Sequence, residues 1–351
     1  MSHTSTIQTL PGSTREVSVI IPSDAFLAFE DKAIEKVNAR IEIPGFRKGK
    51  ATKDALLKHI GDMALLEEMA ELALSDAYPK LIAEHKLDPI GRPEVRITKI
   101  ARGNPLEFTF KTAVVPETTL PDYKKIAKEE MSKELKTEVT DEDVEKTILE
   151  VRQMRAHQEL HKEGDEHNHD HGDALDEKNL PALDDTFVKS LGKFDNVEDF
   201  KVKIRENIAL EKDREAKDKR RVAMLDALIK DTRTEVPAIL VHAEQEKMFG
   251  RMSFEIEKAG LKMDEYLTHL KKTKEELFET WKDEAYKQAT LELVVDKIAG
   301  LENLRPTEVE VTKQAEEVMK AYPGSDLERA KVYVEHMLTN QKVLAFLEAQ
   351  K

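Results

Sequence analysis

The stretch IEIPGFRKGKAT, residues 41–52, joins a turn-forming Pro-Gly pair, one aromatic ring and a cluster of cations. Proline and glycine turn the chain, and the two glycines let the loop approach another surface closely. If Phe46 points outward, it is an anchor flanked by Arg and Lys side chains that can bind phosphate. The candidate binding residues are Gly45, Phe46, Arg47, Lys48, Gly49 and Lys50. The alternative is a tight turn whose Phe46 packs into the core, and spacing alone favours neither interpretation.

The residues around this loop predict a compact α+β domain over residues 1–115. We expect a helix from Ser23, a short helix that ends at Gly61, and a longer helix that Asp62 caps. Three segments alternate between apolar and polar residues as strands do, and the last two are joined by a hairpin signal: REVSVII, PEVRITKI and LEFTFKTAVV.

Charge is unevenly distributed along the chain. The net charge is −14, yet residues 1–115 contain 16 Lys/Arg and 16 Asp/Glu, while the remainder contains 40 and 54. Within the neutral part, residues 47–58 carry five cations and one anion. A basic tip on an acidic chain predicts one polyanionic partner at one place. The acidic bulk argues against general coating of nucleic acid.

The remaining residues predict three further segments. Residues 116–160 comprise an extended linker to about residue 139 and then a helix that Thr140 caps. Residues 161–180 form an acidic, His-rich loop that cannot build a core and is expected to be flexible. Residues 181–351 have a helical pattern throughout. Helix starts are indicated by Asn196 and by the capping-box residue pattern at Thr273–Glu276, Thr307–Glu310 and Ser325–Glu328.

Composition excludes several classes of protein. Without cysteine there are no disulfides, no thiol catalysis and no cysteine-bound zinc. The amino terminus lacks a basic region followed by an apolar core, and no apolar run approaches the roughly 20 residues of a membrane span. We therefore expect a cytoplasmic chain without a membrane partner. No phosphate-cradling glycine loop, nucleophile elbow or His-Glu-x-x-His motif occurs, so we expect neither an enzyme nor a cofactor.

Histidines provide a competing hypothesis, because imidazole and carboxylate groups suit zinc, nickel or copper. The candidate metal ligands are His157, His161, His167, His169 and His171, the last three of which alternate among aspartates. A flexible segment without a fixed second shell should bind metal only weakly and promiscuously. The interpretation we favour is a solvated acidic linker.

A group of methionines and phenylalanines forms the second candidate site. It comprises Met248, Phe249, Met252 and Phe254. Methionine adapts its shape, and such surfaces suit promiscuous binding of apolar segments. The same spacing also fits ordinary core packing of one helix, which we favour here and for Phe278 and Trp281 on the following helix.

Much of the chain resembles one known family. IPGFRKGKAT is very similar to the ribosome-docking signature of trigger factor, the bacterial ribosome-associated chaperone, and EVSVIIPSDAFLAFEDKAIEKVNARIE resembles the strand and helix before it. LDPIGRPEVRI, LPALDDTFVKSLGKFDNVEDFKVKIREN and VPAILVHAEQEKM resemble later parts of that family. The resemblance implies an α+β ribosome-binding domain, then a mainly α-helical, elongated chaperone domain with a SurA-like helical body. It also implies that Phe46, Arg47 and Lys48 contact a ribosomal protein and adjacent rRNA beside the exit tunnel.

Two departures from the family pattern stand out. The family usually has proline where Thr52 stands, but threonine can cap the next helix. Trigger factors also insert an FKBP-like prolyl isomerase domain, whereas only the 18 residues from His161 to Lys178 separate its two flanks here. So short a segment cannot bury a proline-binding pocket, so we expect no FKBP-like domain and no isomerase activity.

The resulting hypothesis is an ATP-independent chaperone whose partners are the ribosome and unfolded nascent chains, with a possible homodimer away from the ribosome. A ribosome-independent holdase or assembly chaperone is one alternative, and a His-rich metal-binding protein is another.

Overall fold

The computed structural model describes residues 2–47, 49–135, 137–160, 180–322, 324 and 326–350. Its strands are β1 (Thr4–Leu10), β2 (Thr14–Ile21), β3 (Pro89–Lys99) and β4 (Leu106–Val114). Its helices are α1 (Ser23–Leu27), α2 (Glu30–Arg40), α3 (Lys53–Ile60), α4 (Asp62–Glu84), α5 (Tyr123–Met131), α6 (Asp141–Leu160), α7 (Asp185–Leu191), α8 (Val197–Asp231), α9 (Ala238–Lys258), α10 (Met263–Leu270), α11 (Lys274–Leu301), α12 (Glu308–Ala321) and α13 (Leu327–Glu348).

The four strands form one antiparallel sheet in the order β1-β2-β4-β3. The three predicted strands are confirmed, and β1 is an additional strand that the sequence patterns did not reveal. It pairs with β2 in an unbroken register from Thr4–Ile20 to Leu10–Thr14, around a Pro-Gly turn. The β3–β4 pairing has two register shifts, which the regular β1–β2 hairpin lacks.

One face of the sheet is apolar because strand residues alternate between faces. β2 and β4 bury every second residue against the helices of the same domain, and Tyr78 of α4 meets the Phe110 ring edge-on at 5.2 Å. The strand residues of this core cluster are Val17, Val19, Ile21, Leu106, Phe108 and Phe110. The sheet and α4 thus form the α+β core that the sequence predicts.

The predicted helix from Ser23 is interrupted. α1 ends at Leu27 and α2 begins at Glu30. Between them the Phe29 amide donates to the Phe26 carbonyl, three positions earlier instead of the four of an α-helix. Phe26 and Ala33 are nevertheless both buried in the sheet core. The apolar stripe was therefore predicted correctly, and its continuity was not.

The chain divides into two compact units that each combine segments distant in sequence. The first contains Met1–Pro121 with Asp231–Asn340, and the second contains Asp122–Lys230 with Gln341–Lys351. In the first unit, α9 packs along α11, and α12 and α13 share a small core around Val311 and Val334.

The second unit is helical in its described residues. α6, α7 and α8 enclose a core, and the start of α8 is capped by Asn196 as predicted. The core residues are Val144, Ile148, Phe187, Val188, Phe200 and Ile208. One prediction was wrong, because residues 123–131 of the expected extended linker form α5. Its amino end is capped by Asp122, whose carboxylate accepts from the Lys125 amide at 3.0 Å.

The residues that the structure describes contain no FKBP-like domain. Ile148 before the His-rich segment and Val188 after it belong to the same small core, so the two flanks are already neighbours. The His-rich segment itself, residues 161–179, lies outside the described residues. Within the described part of the chain, no helix combines the length and apolar character needed to cross a membrane.

Candidate functional site

The basic loop between α2 and α3 consists of two successive tight turns. The Phe46 amide donates to the Ile43 carbonyl at 3.1 Å, and the Lys50 amide donates to the Arg47 carbonyl at 2.9 Å. Gly45 and Gly49 occupy the third position of each turn with φ of 86° and 78°. A type II turn requires a positive φ there, which glycine adopts without strain. The two glycines therefore set the shape of the loop.

Phe46 points into solvent. Its side chain is 41% exposed, whereas the other phenylalanines of this domain that belong to the sheet core are buried or partly buried. The interpretation in which Phe46 returns to the core does not describe this loop. A large exposed ring on a tight turn gains nothing for folding, so its position favours a role in contact with another molecule.

Both ends of the loop are fixed to the domain. Ile43, the first residue of the first turn, is buried in the sheet core. After the second turn, the buried Asn38 amide donates from Nδ2 to the Ala51 carbonyl at 3.0 Å. Thr52 caps α3, because its hydroxyl accepts from the Ala55 amide at 3.4 Å. The exposed turns are therefore held in place by contacts of both loop ends with the domain.

An ion-pair network holds α3 beside this loop. Lys53 lies 2.5 Å from Glu30 of α2, and Arg102 bonds to both Glu30 and Asp62, the latter at 2.6 Å. Partial burial would raise the pKa of Glu30, but the bonds from Lys53 and Arg102 outweigh it and lower that pKa. The bonds to Asp62 and Glu30 in turn raise the pKa of Arg102.

The cations of the loop itself are differently placed. Arg47 and Lys50 are exposed, and neither forms an ion pair with any residue in the described part of the chain. Lys48 was also predicted to bind but lies outside the described residues. Arg47 and Lys50 thus keep their full charge available for an external anion, whereas Lys53 next to them is neutralised by the domain.

Sequence patterns missed the residues that support the loop. Asn38, Glu30 and Arg102 contact it or its flanking helix, yet none belongs to the quoted motif. For Asn38 a signal was present, because it lies four positions after Ile34 and so falls on the apolar side of α2. For Arg102, which reaches across 72 positions of sequence to Glu30, no local signal exists.

The Met/Phe group lies on α9 but does not form one surface. Phe249 packs edge-on against Phe278 of α11 with ring centroids 6.0 Å apart, and Lys274 sits 4.7 Å above the Phe249 ring. Met248 and Met252 are half-buried. Phe254 is 63% exposed and is therefore the member of the group that an external apolar segment can reach.

The metal hypothesis receives no geometric support from the residues that the structure describes. His157 is an exposed residue near the end of α6, and no cluster of three or more His, Asp or Glu side chains suited to a metal occurs among the described residues. The other four predicted ligands, His161, His167, His169 and His171, lie outside those residues.

Taken with the loop, the fold defines a class of protein: a small antiparallel sheet domain that presents an exposed basic loop, combined with a largely helical body. Comparisons with known proteins support this class. The family model for "Bacterial trigger factor protein (TF)" matches residues 3–151, and the model for the C-terminus of the same family matches residues 196–351. Together they cover most of the chain.

Individual relatives agree. A trigger factor of Clostridium botulinum is 24% identical over 422 aligned positions, which cover 97% of each chain. One of Anoxybacillus flavithermus is 25% identical and covers 89% of this chain and 90% of its own. A solved structure of the trigger factor chaperone aligns with 99% of this chain and 100% of its own, at a TM-score of 0.51 and 17% identity. The chain belongs to the trigger factor family.

Proposed function

We propose that this chain is a ribosome-associated chaperone that docks through the loop of residues 41–52. The observation that carries the proposal is the loop itself, in which Phe46 is exposed beside Arg47 and Lys50, two cations that form no ion pair among the described residues. Contacts with the domain hold the loop at both ends. The chain as a whole has a net charge of −14. A phosphate-rich surface therefore attracts the loop and repels the remainder, so the loop sets the orientation of docking.

Phe46 and the cations have complementary roles in this docking. The ring supplies apolar area to a ribosomal protein, while Arg47, Lys48 and Lys50 add charge toward rRNA phosphates. Contacts with phosphate release counterions and weaken as salt increases. Docking should therefore be salt-dependent and reversible.

The helical body would shield apolar segments of nascent chains. Binding has to be weak and distributed, since a client held tightly at one place could not fold. Large apolar side chains are exposed on four different helices: Leu210 on α8, Phe254 on α9, Val309 on α12, and Val332 with Tyr333 on α13. Each contributes little, and several together act by avidity. Of the predicted client-binding group, Phe254 is assigned this role, because Met248, Phe249 and Met252 are partly buried.

The same proposal includes a cytoplasmic chain without isomerase activity. The alignment with the Clostridium botulinum relative has 422 positions, more than the 351 residues of this chain, so that relative contains residues that this chain lacks. The two family models also leave residues 152–195 unmatched, where the shortened segment lies. Acceleration of prolyl isomerisation in a short peptide by this chain would contradict the proposal.

Co-sedimentation with purified bacterial ribosomes tests docking. The variant Phe46→Ala/Arg47→Ala/Lys48→Ala should lose pelleting that the native chain shows, and high salt should weaken the native complex. A matched control is Val95→Ala/Arg92→Ala/Arg96→Ala on β3, which removes one exposed apolar side chain and two exposed cations from the same domain. This control should pellet like the native chain.

Equal pelleting of the native chain and the loop variant, or pelleting of neither, would contradict docking through the loop. The chain would then be better interpreted as a free holdase. Equal loss in both variants would mean that only the total charge of the domain matters.

A further inference from the structure

Arg15 interrupts the apolar face of the sheet near the start of β2. The next residues of β2 on that face, Val17 and Val19, are buried in the core. Arg15 is half-buried, and the residues opposite it in the two adjacent strands are Thr9 and Thr112. A cation therefore occupies a position where strand alternation places an apolar residue, and no carboxylate lies opposite it.

The guanidinium of Arg15 has no anionic partner within the described part of the chain. Of its five N–H donors, one bonds there, from Nη1 to the Thr14 carbonyl at 3.3 Å. Partial burial of a guanidinium removes hydration, which an ion pair usually replaces. An anion from outside the chain would supply the missing partner.

Arg15 lines an open cleft of about 660 Å³ at this end of the sheet, a volume within the range usual for small-molecule sites. Two more cations line the cleft, Lys86 after α4 and Arg233 before α9. Neither forms an ion pair with a residue that the structure describes. All the lining residues belong to the first compact unit. Three cations without carboxylate partners among the described residues thus line one cleft.

Lys86 has a backbone conformation that glycine adopts with less strain. Its φ of 51° lies in the left-handed region. The Lys86 amide donates to the Ala83 carbonyl at 3.2 Å, and the Leu87 amide donates to the Ile82 carbonyl at 3.0 Å. This is the Schellman ending of a helix, whose left-handed position is usually glycine. The helix end therefore carries a cation at the cleft where glycine would fit more easily.

Hydrogen bonds fix the walls of the cleft. Thr119 and Arg233 pair through two backbone bonds of 2.9 and 3.1 Å. The Ser13 hydroxyl donates to the Glu235 carbonyl at 2.8 Å, and the Val114 amide donates to the Ser13 carbonyl at 2.9 Å. A preformed site loses less conformational freedom when a ligand binds.

The other lining residues restrict the class of ligand. Glu117 and Glu235 line the cleft, and in the described part of the chain neither forms an ion pair. They would repel a second anionic group, but their oxygens accept hydrogen bonds from hydroxyls. Apolar contact is available at Leu87, Val114 and Val115. None of the described lining residues is aromatic, so no ring can stack on a nucleobase.

We propose that this cleft binds a sugar monophosphate. The phosphate bonds to the Arg15 guanidinium, which binds oxyanions through two parallel N–H groups, and Lys86 and Arg233 add positive charge. The sugar hydroxyls donate to Glu117 and Glu235, and the carbon atoms of the sugar contact the apolar side of the cleft. This site is additional to ribosome docking and client binding and depends on neither.

Equilibrium dialysis with radiolabelled glucose 6-phosphate at low salt tests the site. The native chain should bind one molecule per chain, and added salt should weaken the binding. Unlabelled glucose should not compete, because it lacks the phosphate. Inorganic phosphate should compete only weakly, because it lacks the sugar.

Variants of the cleft distinguish binding from folding. Arg15→Gln should weaken binding about tenfold or more, because it removes the charged partner of the phosphate. Lys86→Gly should weaken binding by about two- to fivefold while raising the urea midpoint, because glycine relieves the strain at positive φ. Misfolding cannot produce that combination. The matched control is Arg92→Gln, an exposed arginine of β3 outside the cleft, which should bind like the native chain.

Three results would overturn the proposal: no saturable binding of glucose 6-phosphate, equally strong competition by inorganic phosphate, or equal binding by the native chain and Lys86→Gly. Equal loss in Arg15→Gln and Arg92→Gln would mean that only the charge of the domain matters. Stronger competition by adenosine monophosphate than by unlabelled glucose 6-phosphate would replace the sugar phosphate with a nucleotide. Circular dichroism verifies folding, and Lys86→Gly decides if Arg15→Gln does not fold.

Discussion

At the scale of single residues, the candidate docking loop depends on positions whose chemistry is set by backbone geometry. Gly45 and Gly49 have the positive φ that their turns require, and Thr52 starts α3 with φ −72° and ψ 158°. Phe46 and Arg47 are exposed, so their replacement should leave folding nearly unchanged. The geometry and the proposed binding are thus carried by different residues and can be tested separately.

Thr52 offers one such test. Its φ lies within the range of proline, the residue usual in the family, while its hydroxyl caps α3 through a rather long bond of 3.4 Å. Thr52→Pro should change the free energy of unfolding by no more than about 0.5 kcal/mol, because the fixed φ offsets the lost cap. Thr52→Ala should cost about 0.5 to 1 kcal/mol. Urea unfolding measures both, and a large loss with proline would contradict this account of the helix start.

Two glycines form a matched pair for a second test. Gly91 has φ 75°, and a Cβ built on it would lie 2.4 Å from Cδ1 of Ile239. Gly250 lies inside α9, where a Cβ would meet nothing within 4 Å. Gly91→Ala should therefore destabilise the chain by at least about 1 kcal/mol. Gly250→Ala should stabilise it by about 0.5 to 1 kcal/mol. Urea midpoints that shift equally, or in the reverse order, would contradict the packing described for Gly91.

At the scale of secondary-structure elements, the flanks of the shortened segment make their own core. α6, α7 and α8 bury Val144, Val188 and Phe200 together, and Phe194 meets Phe200 edge-on at 5.0 Å. Ion pairs from α8 to the start of α6 surround this core, including Lys212 with Asp143 at 2.6 Å. Three short apolar faces therefore stabilise one another without an inserted domain.

Removal of one aromatic ring tests whether α6, α7 and α8 share this core. Phe200→Ala deletes a buried ring and should cost about 3 to 5 kcal/mol in the free energy of unfolding of the second unit. Leu210→Ala, two residues beyond Ile208 in the same helix, removes a side chain that is 70% exposed and should change stability by no more than about 0.5 kcal/mol. Hydrogen exchange of α6 amides localises the effect. Unchanged protection of α6 in Phe200→Ala would mean that the three helices do not share a core.

At the scale of the whole molecule, charge is arranged in many small ion pairs. Hydrogen bonds to lysine, arginine or histidine lower the pKa of Asp76, Glu84 and Asp143, and the pKa of Glu30 is lowered despite partial burial. These carboxylates lie in both compact units. Acid should therefore weaken both units together.

The sign of the pH effect follows from these lowered pKa values. A carboxylate with a lower pKa in the folded chain contributes its full stability above the unfolded value of about 4, and loses it as pH falls through the folded value. The free energy of unfolding should therefore decrease as pH falls below about 4. Urea titrations at a series of pH values measure the slope, and Glu30→Gln should reduce it. A slope that is unchanged in Glu30→Gln would show that the Lys53–Glu30–Arg102 network does not contribute.

Most elements could be predicted where their signals are local. The alternation of apolar and polar residues predicted β2 and β4. The capping boxes at Thr273 and Thr307 are formed as their residue patterns predict. The predicted cap at Ser325 lies outside the described residues, and Asp326 caps α13 beside it. β1 and α5 escaped prediction because β1 has no aromatic residue and α5 follows closely after two prolines.

Local sequence thus specified the turns, several caps and the basic loop, because these depend on φ preferences and on bonds between residues three or four positions apart. The predicted cap at Asp62 was wrong, because Asp62 is already the first residue of α4 and makes no cap bond. Tertiary structure decided which of their side chains are available. It neutralises Lys53 with Glu30 and leaves Arg47 without an ion pair among the described residues. It also buries one side of the Met/Phe group and leaves Phe254 exposed. Such differences arise from contacts between residues far apart in sequence, which no local pattern encodes.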